Sequence, residues 1–260
     1  MTLFIFLSLI ALGIGSGFLA GLLGIGGGMI ITPFLSVLLT MQGVPAEYAM
    51  HAAIATSLSI ILFTSMSSAR AHNRNHFVLW NVFWGIAPGI LVGAALGAQI
   101  ASYLPTFWIT LIFIIFVGFF DLKPKPTNTL PGKPGLFAVG TVIGGLSGIV
   151  GAGGGFISVP FIVRSNVEMH HAVGTSAALG FPIALAGTIG YIYAGWNLTG
   201  MPAWTAGYIH LPSLASVACA TILTAPLGAA AAKRLNTKPL KKLFACLLMV
   251  LVFWMGSKIF

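Results

Sequence analysis

The sequence predicts an all-α polytopic membrane protein made of two inverted repeats. Each repeat carries a Gly-rich helix break or re-entrant hairpin plus about three spanning helices. Three observations predict this. The 260 residues are 58% hydrophobic and only 6% charged, with mean hydropathy +1.02, whereas a soluble domain carries about 25% charged residues. A glycine-rich stretch occurs twice, 127 residues apart. The basic residues collect on one side when the apolar segments are threaded alternately through a bilayer.

Apolar segments run over 3–23, 29–41, 49–69, 77–101, 106–120, 135–150, 156–164, 171–194, 206–232 and 241–257. A spanning helix needs about 20 residues. The segments 29–41 and 156–164 fall short, and read as half-helices of re-entrant hairpins or short arms of broken helices. The first segment lacks a basic flank and runs straight into the repeated motif, so it reads as retained rather than as a cleaved signal. Residues 1–120 form the first repeat, 121–134 a Pro- and Lys-rich linker, and 135–260 the second repeat.

The repeated stretch is Gly24-Ile25-Gly26-Gly27-Gly28 leading to Pro33-Phe34, and Gly151-Ala152-Gly153-Gly154-Gly155 leading to Pro160-Phe161. Between Gly13–Phe34 and Gly140–Phe161, 11 of 22 positions are identical. Each glycine costs a helix about 1 kcal/mol relative to Ala, so both helices should break there. Breaks at membrane depth are tolerated where protein or a water-filled cavity satisfies the backbone. Paired breaks in two halves point to a transporter's binding site. A helix restarting after each break aims free N–H groups and a positive dipole end at it, which favours an anion. Small-residue packing is the plainer reading. It suffices for Gly13, Gly17, Gly21 and for Gly140, Gly144, Gly148, and it extends to Gly89, Gly93, Gly97 and, in part, Ala225–Gly228. It does not require three consecutive glycines. Gly26, Gly27, Gly28, Gly153, Gly154 and Gly155 are therefore candidate substrate-binding residues, with Pro33 and Pro160 as helix bends.

A second repeated element is Thr56-Ser57 and Thr175-Ser176. Hydroxyls donate hydrogen bonds without charge, which suits an anion that must also be released. Back-bonding within the helix is the ordinary alternative. His51 and His170 each lie five residues before the threonine, with His171 adjacent and Glu47 and Glu168 nearby. They read either as interfacial His–Glu pairs or as a proton-linked gate or anion contact. His72 and His76 read as solvated loop residues, and His210 as interfacial without an assigned role. The tryptophans near segment ends read as an aromatic belt. Cys219 and Cys246 read as core packing.

Placing Arg70 and Arg74 in the cytoplasm puts Lys123, Lys125, Lys133, Arg164, Lys233, Arg234, Lys238, Lys241 and Lys242 there too. Only Lys258 falls opposite, and both termini lie outside. The loop 70–76 is basic where its counterpart 195–205 is neutral; 102–105 is neutral where 233–242 is basic. Equivalent loops therefore face opposite sides, which makes the repeats inverted.

Several classes are poorly served. Glu47, Asp121 and Glu168 are the only acidic residues and all lie in or beside loops, against a carboxylate proton relay, a carboxylate-bound sodium site or a hydrolase acid–base pair. No lysine follows the glycines as in an ATP loop. No basic stripe with interleaved aromatics suggests nucleic acid. No cofactor, metal or enzymatic role is expected. An intramembrane enzyme pairing a serine with a histidine is the least supported reading.

The ordered set of paired glycine–Pro-Phe motifs, paired Thr-Ser motifs and short basic linker resembles the TauE/SafE sulfite exporter family, also called the toluene sulfonate uptake permease family. The resemblance covers nearly the whole chain. It implies anion transport in the cytoplasmic (inner) membrane, not sulfite in particular. Together with the inverted repeats it gives the expectation of a secondary transporter that exports a small sulfur-containing anion, sulfite or an organosulfonate, by alternating access. The family's glycine motif carries over onto Gly26–Gly28 and Gly153–Gly155, and its Thr-Ser positions onto Thr56-Ser57 and Thr175-Ser176. An anion-selective channel, or an importer of a small organic anion, is the alternative. Expected partners are the anion and the bilayer, with a homodimer as a further expectation.

Overall fold

The computed structural model describes residues 2–24, 26–118 and 130–232. Most of the linker, the segment 241–257, Cys246 and the basic residues from Lys233 onward lie outside them. The described elements are α1 (Leu3–Leu23), α2 (Gly28–Thr40), α3 (Ala49–Asn73), α4 (Trp80–Tyr103), α5 (Thr106–Gly118), α6 (Lys133–Val150), α7 (Gly155–Arg164), α8 (Met169–Ala194), β1 (Thr205–Ala206), β2 (Ile209–His210) and α9 (Leu211–Ala232). Among them α1, α3, α4, α6, α8 and α9 are long and apolar enough to cross a membrane, and α2 and α7 are too short. The all-α polytopic expectation holds. It missed one local feature: β1 and β2 form a two-residue antiparallel pair, so α9 starts at Leu211 rather than 206.

Two close seams order the bundle. Gly13, Gly17 and Gly21 of α1 lie against Val217, Thr221 and Ala225 of α9; Gly89, Gly93 and Gly97 of α4 lie against Phe137, Thr141 and Gly145 of α6. Positions advance together along both seams, so each pair runs parallel. Gly140, Gly144 and Gly148 close the second seam against Ile86, Ile90 and Ala94. A side chain at Gly21 or Gly93 would collide with the facing carbonyl of Ala225 or Thr141. Lipid tails supply no hydrophobic drive between helices, so this close backbone approach is what holds such pairs. The small-residue reading of these glycines is correct.

Between the seams lie α3 and α8, the most buried of the spanning helices. They run antiparallel: Leu58 meets Gly187, and Ser65 meets Gly180. Exchanging α1 for α6 and α9 for α4 maps one seam onto the other.

Two expectations need correction. His72 is not a solvated loop residue. It sits within α3, 1% exposed, because α3 continues past 69 to Asn73. Cys219 is not core packing. It faces outward from α9, on the side away from the α1 seam. Trp80, Trp84, Trp108, Trp196 and Trp204 are exposed, in line with an interfacial belt.

Candidate functional site

The two glycine breaks share their cap geometry, although Gly26 is left-handed and Gly153 is not. Gly24 and Gly151 end α1 and α6 with φ of 68° and 72°. Their N–H groups donate to Ala20 O and Ser147 O at 2.9 Å. Gly27 and Gly154 start α2 and α7 with φ of 75° and 70°. All four are left-handed, a region that glycine alone enters without cost from a Cβ. This is the physical reason for the repeated motif.

The breaks meet each other. A Cβ on Gly26 would sit 2.8 Å from Gly153 Cα, and one on Gly28 would strike Gly151 O. Ile61, midway along α3, packs on both Gly26 and Gly28, and Ile183, midway along α8, packs on Gly154. The meeting point thus lies at the middle of the central helix pair. There α2 and α7 restart: Ile30 and Ile31 N–H donate to Gly27 O, and Ile157 and Ser158 N–H donate to Gly154 O, so the positive end of each helix dipole falls at the break itself. Among the described residues no charged side chain packs on this centre.

The hydroxyls bind crosswise. Ser57 on α3 donates to Gly151 O at 3.3 Å, as does Thr32 on α2. Ser176 on α8 donates to Gly24 O at 2.9 Å and lies 2.7 Å from Ser158 Oγ. Each half thereby ties off the carbonyl at the other half's break. The threonines act differently. Thr56 Oγ1 accepts from His210 N at 3.1 Å, and Thr175 Oγ1 accepts from Leu79 N at 2.9 Å. They pin the extended chain leading into α9 and α4. Thr56, Ser57, Thr175 and Ser176 thus bond across the bundle rather than back to the preceding turn of their own helices. All four are fully buried.

The histidines flank this centre at opposite ends. His51 Nε2 lies 3.2 Å from Ala101 O and 3.0 Å from Leu104 O, so it carries the proton. Its ring stacks on Tyr208, centroids 5.2 Å apart. It bonds backbone carbonyls at the end of α4 in place of the Glu47 carboxylate. His170 lies 5.4 Å from Phe77 and His171 lies 5.8 Å from it. Tyr208 stands two residues before His210, and Phe77 two before Leu79. A histidine–aromatic contact therefore occurs at both ends of the bundle, next to the chain that each threonine pins. It is stacked only for His51–Tyr208; His170 is tilted by 35° to Phe77 and His171 meets it edge-on. His72 Nε2 adds a 2.8 Å bond to Gly21 O in the last turn before the first break. Pro33 and Pro160 lie inside α2 and α7.

Sequence reading missed Phe77, Tyr208, Ser158 and Ser147. Ser147 Oγ is buried with no hydrogen-bond partner, 3.2 Å from where a Cβ of Gly154 would stand. Its counterpart in the first repeat is Ala20, so nothing in the repeat flagged it. The offset between Phe77-x-Leu79 and Tyr208-x-His210 could have revealed the aromatic pair. Among the described residues no group of three His, Cys, Asp or Glu is placed to hold a metal ion.

A family profile described as "Sulfite exporter TauE/SafE" matches residues 9–255. The chain belongs to the TauE/SafE family. It is thus a multi-pass membrane transporter of that family, and its six span-length helices fit the assignment. A "Probable membrane transporter protein" of Haemophilus influenzae is 33% identical over 99% of this chain and 100% of its own length. One of Bacillus subtilis is 28% identical over 82% of this chain and 84% of its own. One of Methanocaldococcus jannaschii is 25% identical over 95% of this chain and 94% of its own. No solved structure matches the chain.

Proposed function

We propose that this TauE/SafE member is a secondary transporter that exports a small sulfur-containing anion, sulfite or an organosulfonate, by alternating access. The observation that carries the reading is the meeting of the two glycine breaks at the middle of α3 and α8. Two half-helix starts there offer backbone N–H groups and positive dipole ends to one point. The surrounding donors, Ser57, Ser176, Thr32 and Ser158, are neutral, so an anion is held without an ion pair that would trap it. The family description supplies the substrate class.

In this mechanism the halves 1–120 and 135–260 are inverted repeats joined by a cytoplasmic linker. The antiparallel run of α3 and α8 supports the inversion. The His51–Tyr208 stack closes one face and the contact of His170 and His171 with Phe77 closes the other. Opening either contact frees the pinned chain before α9 or α4. The crosswise serine bonds exchange their carbonyls for the anion as the breaks separate. The cytoplasmic membrane, with Arg70 and Arg74 inside, is the compartment the charge pattern favours. Its potential contributes about 2.3 kcal/mol per charge per 100 mV, enough to drive an anion outward without a coupling ion.

The test is anion efflux from proteoliposomes, together with calorimetric binding to sulfite, a small sulfonate, sulfate, phosphate and chloride. Gly154→Leu and Gly27→Leu are the controls. Saturable, selective, control-sensitive binding and flux of sulfite or sulfonate are expected. Normal flux in both variants refutes the site, and non-saturating currents refute alternating access in favour of a channel.

A further inference from the structure

We propose that a cavity of about 490 Å³ at the end of the bundle where α1 begins is a second anion site, and that it takes a small organic anion rather than a bare inorganic one. Thr2, Ile5, Gln42, Trp204, His210 and Pro212 line it. Its volume lies in the usual range for small-molecule sites, about 300–1,000 Å³. It lies on the face opposite Arg70 and Arg74, and it is separate from the glycine breaks.

Two helix starts converge on this cavity. Thr2 caps α1, its hydroxyl oxygen accepting from Ile5 N at 3.4 Å. Pro212 lies in the first turn of α9, where an N–H would be unpaired in any case. Both dipoles point their positive ends this way.

The second, independent observation is His210. It is 4% exposed. Its Nδ1 accepts from Ser213 N at 3.3 Å and lies 2.9 Å from Ser213 Oγ. Gln42 Nε2 donates to that same hydroxyl at 3.3 Å. A nitrogen accepting from a backbone N–H carries no proton, so the proton of the neutral ring sits on Nε2. Among the described residues Nε2 has no hydrogen-bond partner, and the ring lines the cavity. The free N–H of an otherwise buried ring thus meets two helix N-termini in one concave space. The ligand class follows. An oxyanion head takes the His210 Nε2–H and the α1 start, and an apolar body lies against Ile5, Pro212 and the Trp204 indole. Inorganic sulfite would leave that apolar wall uncovered.

The site is wired to the centre. His210 N is the group pinned by Thr56, and Gln42 follows the C-terminus of α2, whose other end is the first glycine break. An anion here bridges α1, α2 and α9 before the Tyr208 stack opens.

The experiment uses purified full-length protein in nanodiscs and 1-propanesulfonate, with 1-propanol as neutral counterpart, measured by calorimetry. The Gly154→Leu protein serves as background, so that binding at the glycine breaks is removed. One propanesulfonate should bind there, and propanol should not. His210→Phe keeps the ring and the backbone N–H but removes the donor, and should weaken binding about tenfold or more. Trp204→Ala changes a residue 77% exposed on a loop, and gives a second reading if His210→Phe fails to fold. Equal binding of propanol, binding indifferent to both variants, or loss of all propanesulfonate binding in a Gly154→Leu protein that still unfolds cooperatively each overturns the second site. Loss of the central reading would show instead as Gly154-insensitive transport, with His210-dependent binding intact.

Discussion

Gly26→Ala tests whether the two breaks touch. Gly26 has φ of 73° and would place its new Cβ 2.8 Å from Gly153 Cα and 3.3 Å from Ile61 Cγ2. The left-handed backbone costs a residue with a Cβ about 1–2 kcal/mol. Forcing a methyl into a filled space costs about 1–3 kcal/mol. The sum is about 2–5 kcal/mol, a large share of a typical stability of roughly 5–15 kcal/mol. Gly15→Ala is the internal control. It lies in α1 with nothing within 4 Å of the added methyl, and helix propensity alone should stabilise it by up to about 1 kcal/mol. Equilibrium unfolding in mixed dodecylmaltoside–SDS micelles measures both variants. A Gly26→Ala protein within about 0.5 kcal/mol of wild type, the usual scale of harmless surface changes, would refute the contact between the breaks. With it would go the argument for one shared site.

Ser176→Ala orphans the buried Gly24 carbonyl and should destabilise by about 1–3 kcal/mol; Ser57→Ala leaves Gly151 O its Thr32 donor and should cost less. Because each bond ties one half to the other's break, both should also slow flux, which a purely local helix defect would not do. Gly93→Ala should disrupt the α4–α6 seam. Gly145→Ala, whose methyl would rest 3.7 Å from Gly93 O, should be neutral or mildly stabilising, and thermal unfolding separates the two. Burial holds the His210 imidazole below its ordinary value of 6.5. The unfolded chain therefore binds that proton first. The residue's contribution to stability is complete above about pH 6.5 and is lost as pH falls through its lower folded value. His210→Gln should flatten this part of the pH–stability curve, and an unchanged curve would contradict the assignment.

Much of this was legible in the chain because it rested on rules of one or two residues. Two segments too short to span became α2 and α7. Runs of glycine at helical spacing became the seams, and within the triple glycines Gly27 and Gly154 became left-handed N-caps. What stayed hidden needed three-dimensional partners. The sequence offered Ser57 and Thr56 as one motif, yet the structure splits them: the serine reaches across to Gly151, and the threonine holds His210 N. His72 read as loop because Arg70 and Arg74 flank it, but Gly21 O gives its ring a buried acceptor. Ser147 had no signal at all, since its repeat counterpart is Ala20. Phe77 and Tyr208 were invisible until their rings were seen against His170 and His51.

The seams also set an order of events during synthesis. The α4–α6 pair closes across a short stretch of chain. The α1–α9 pair joins the first helix to one made much later: Thr224 and Gly13, which touch, are 211 residues apart. At roughly 5–20 residues per second, α1 waits on the order of ten to forty seconds in the bilayer with its row of bare glycines unmatched. The first half alone can never fill that row. A chain truncated before α9 should therefore be a substrate for membrane quality control, however well its other helices have inserted.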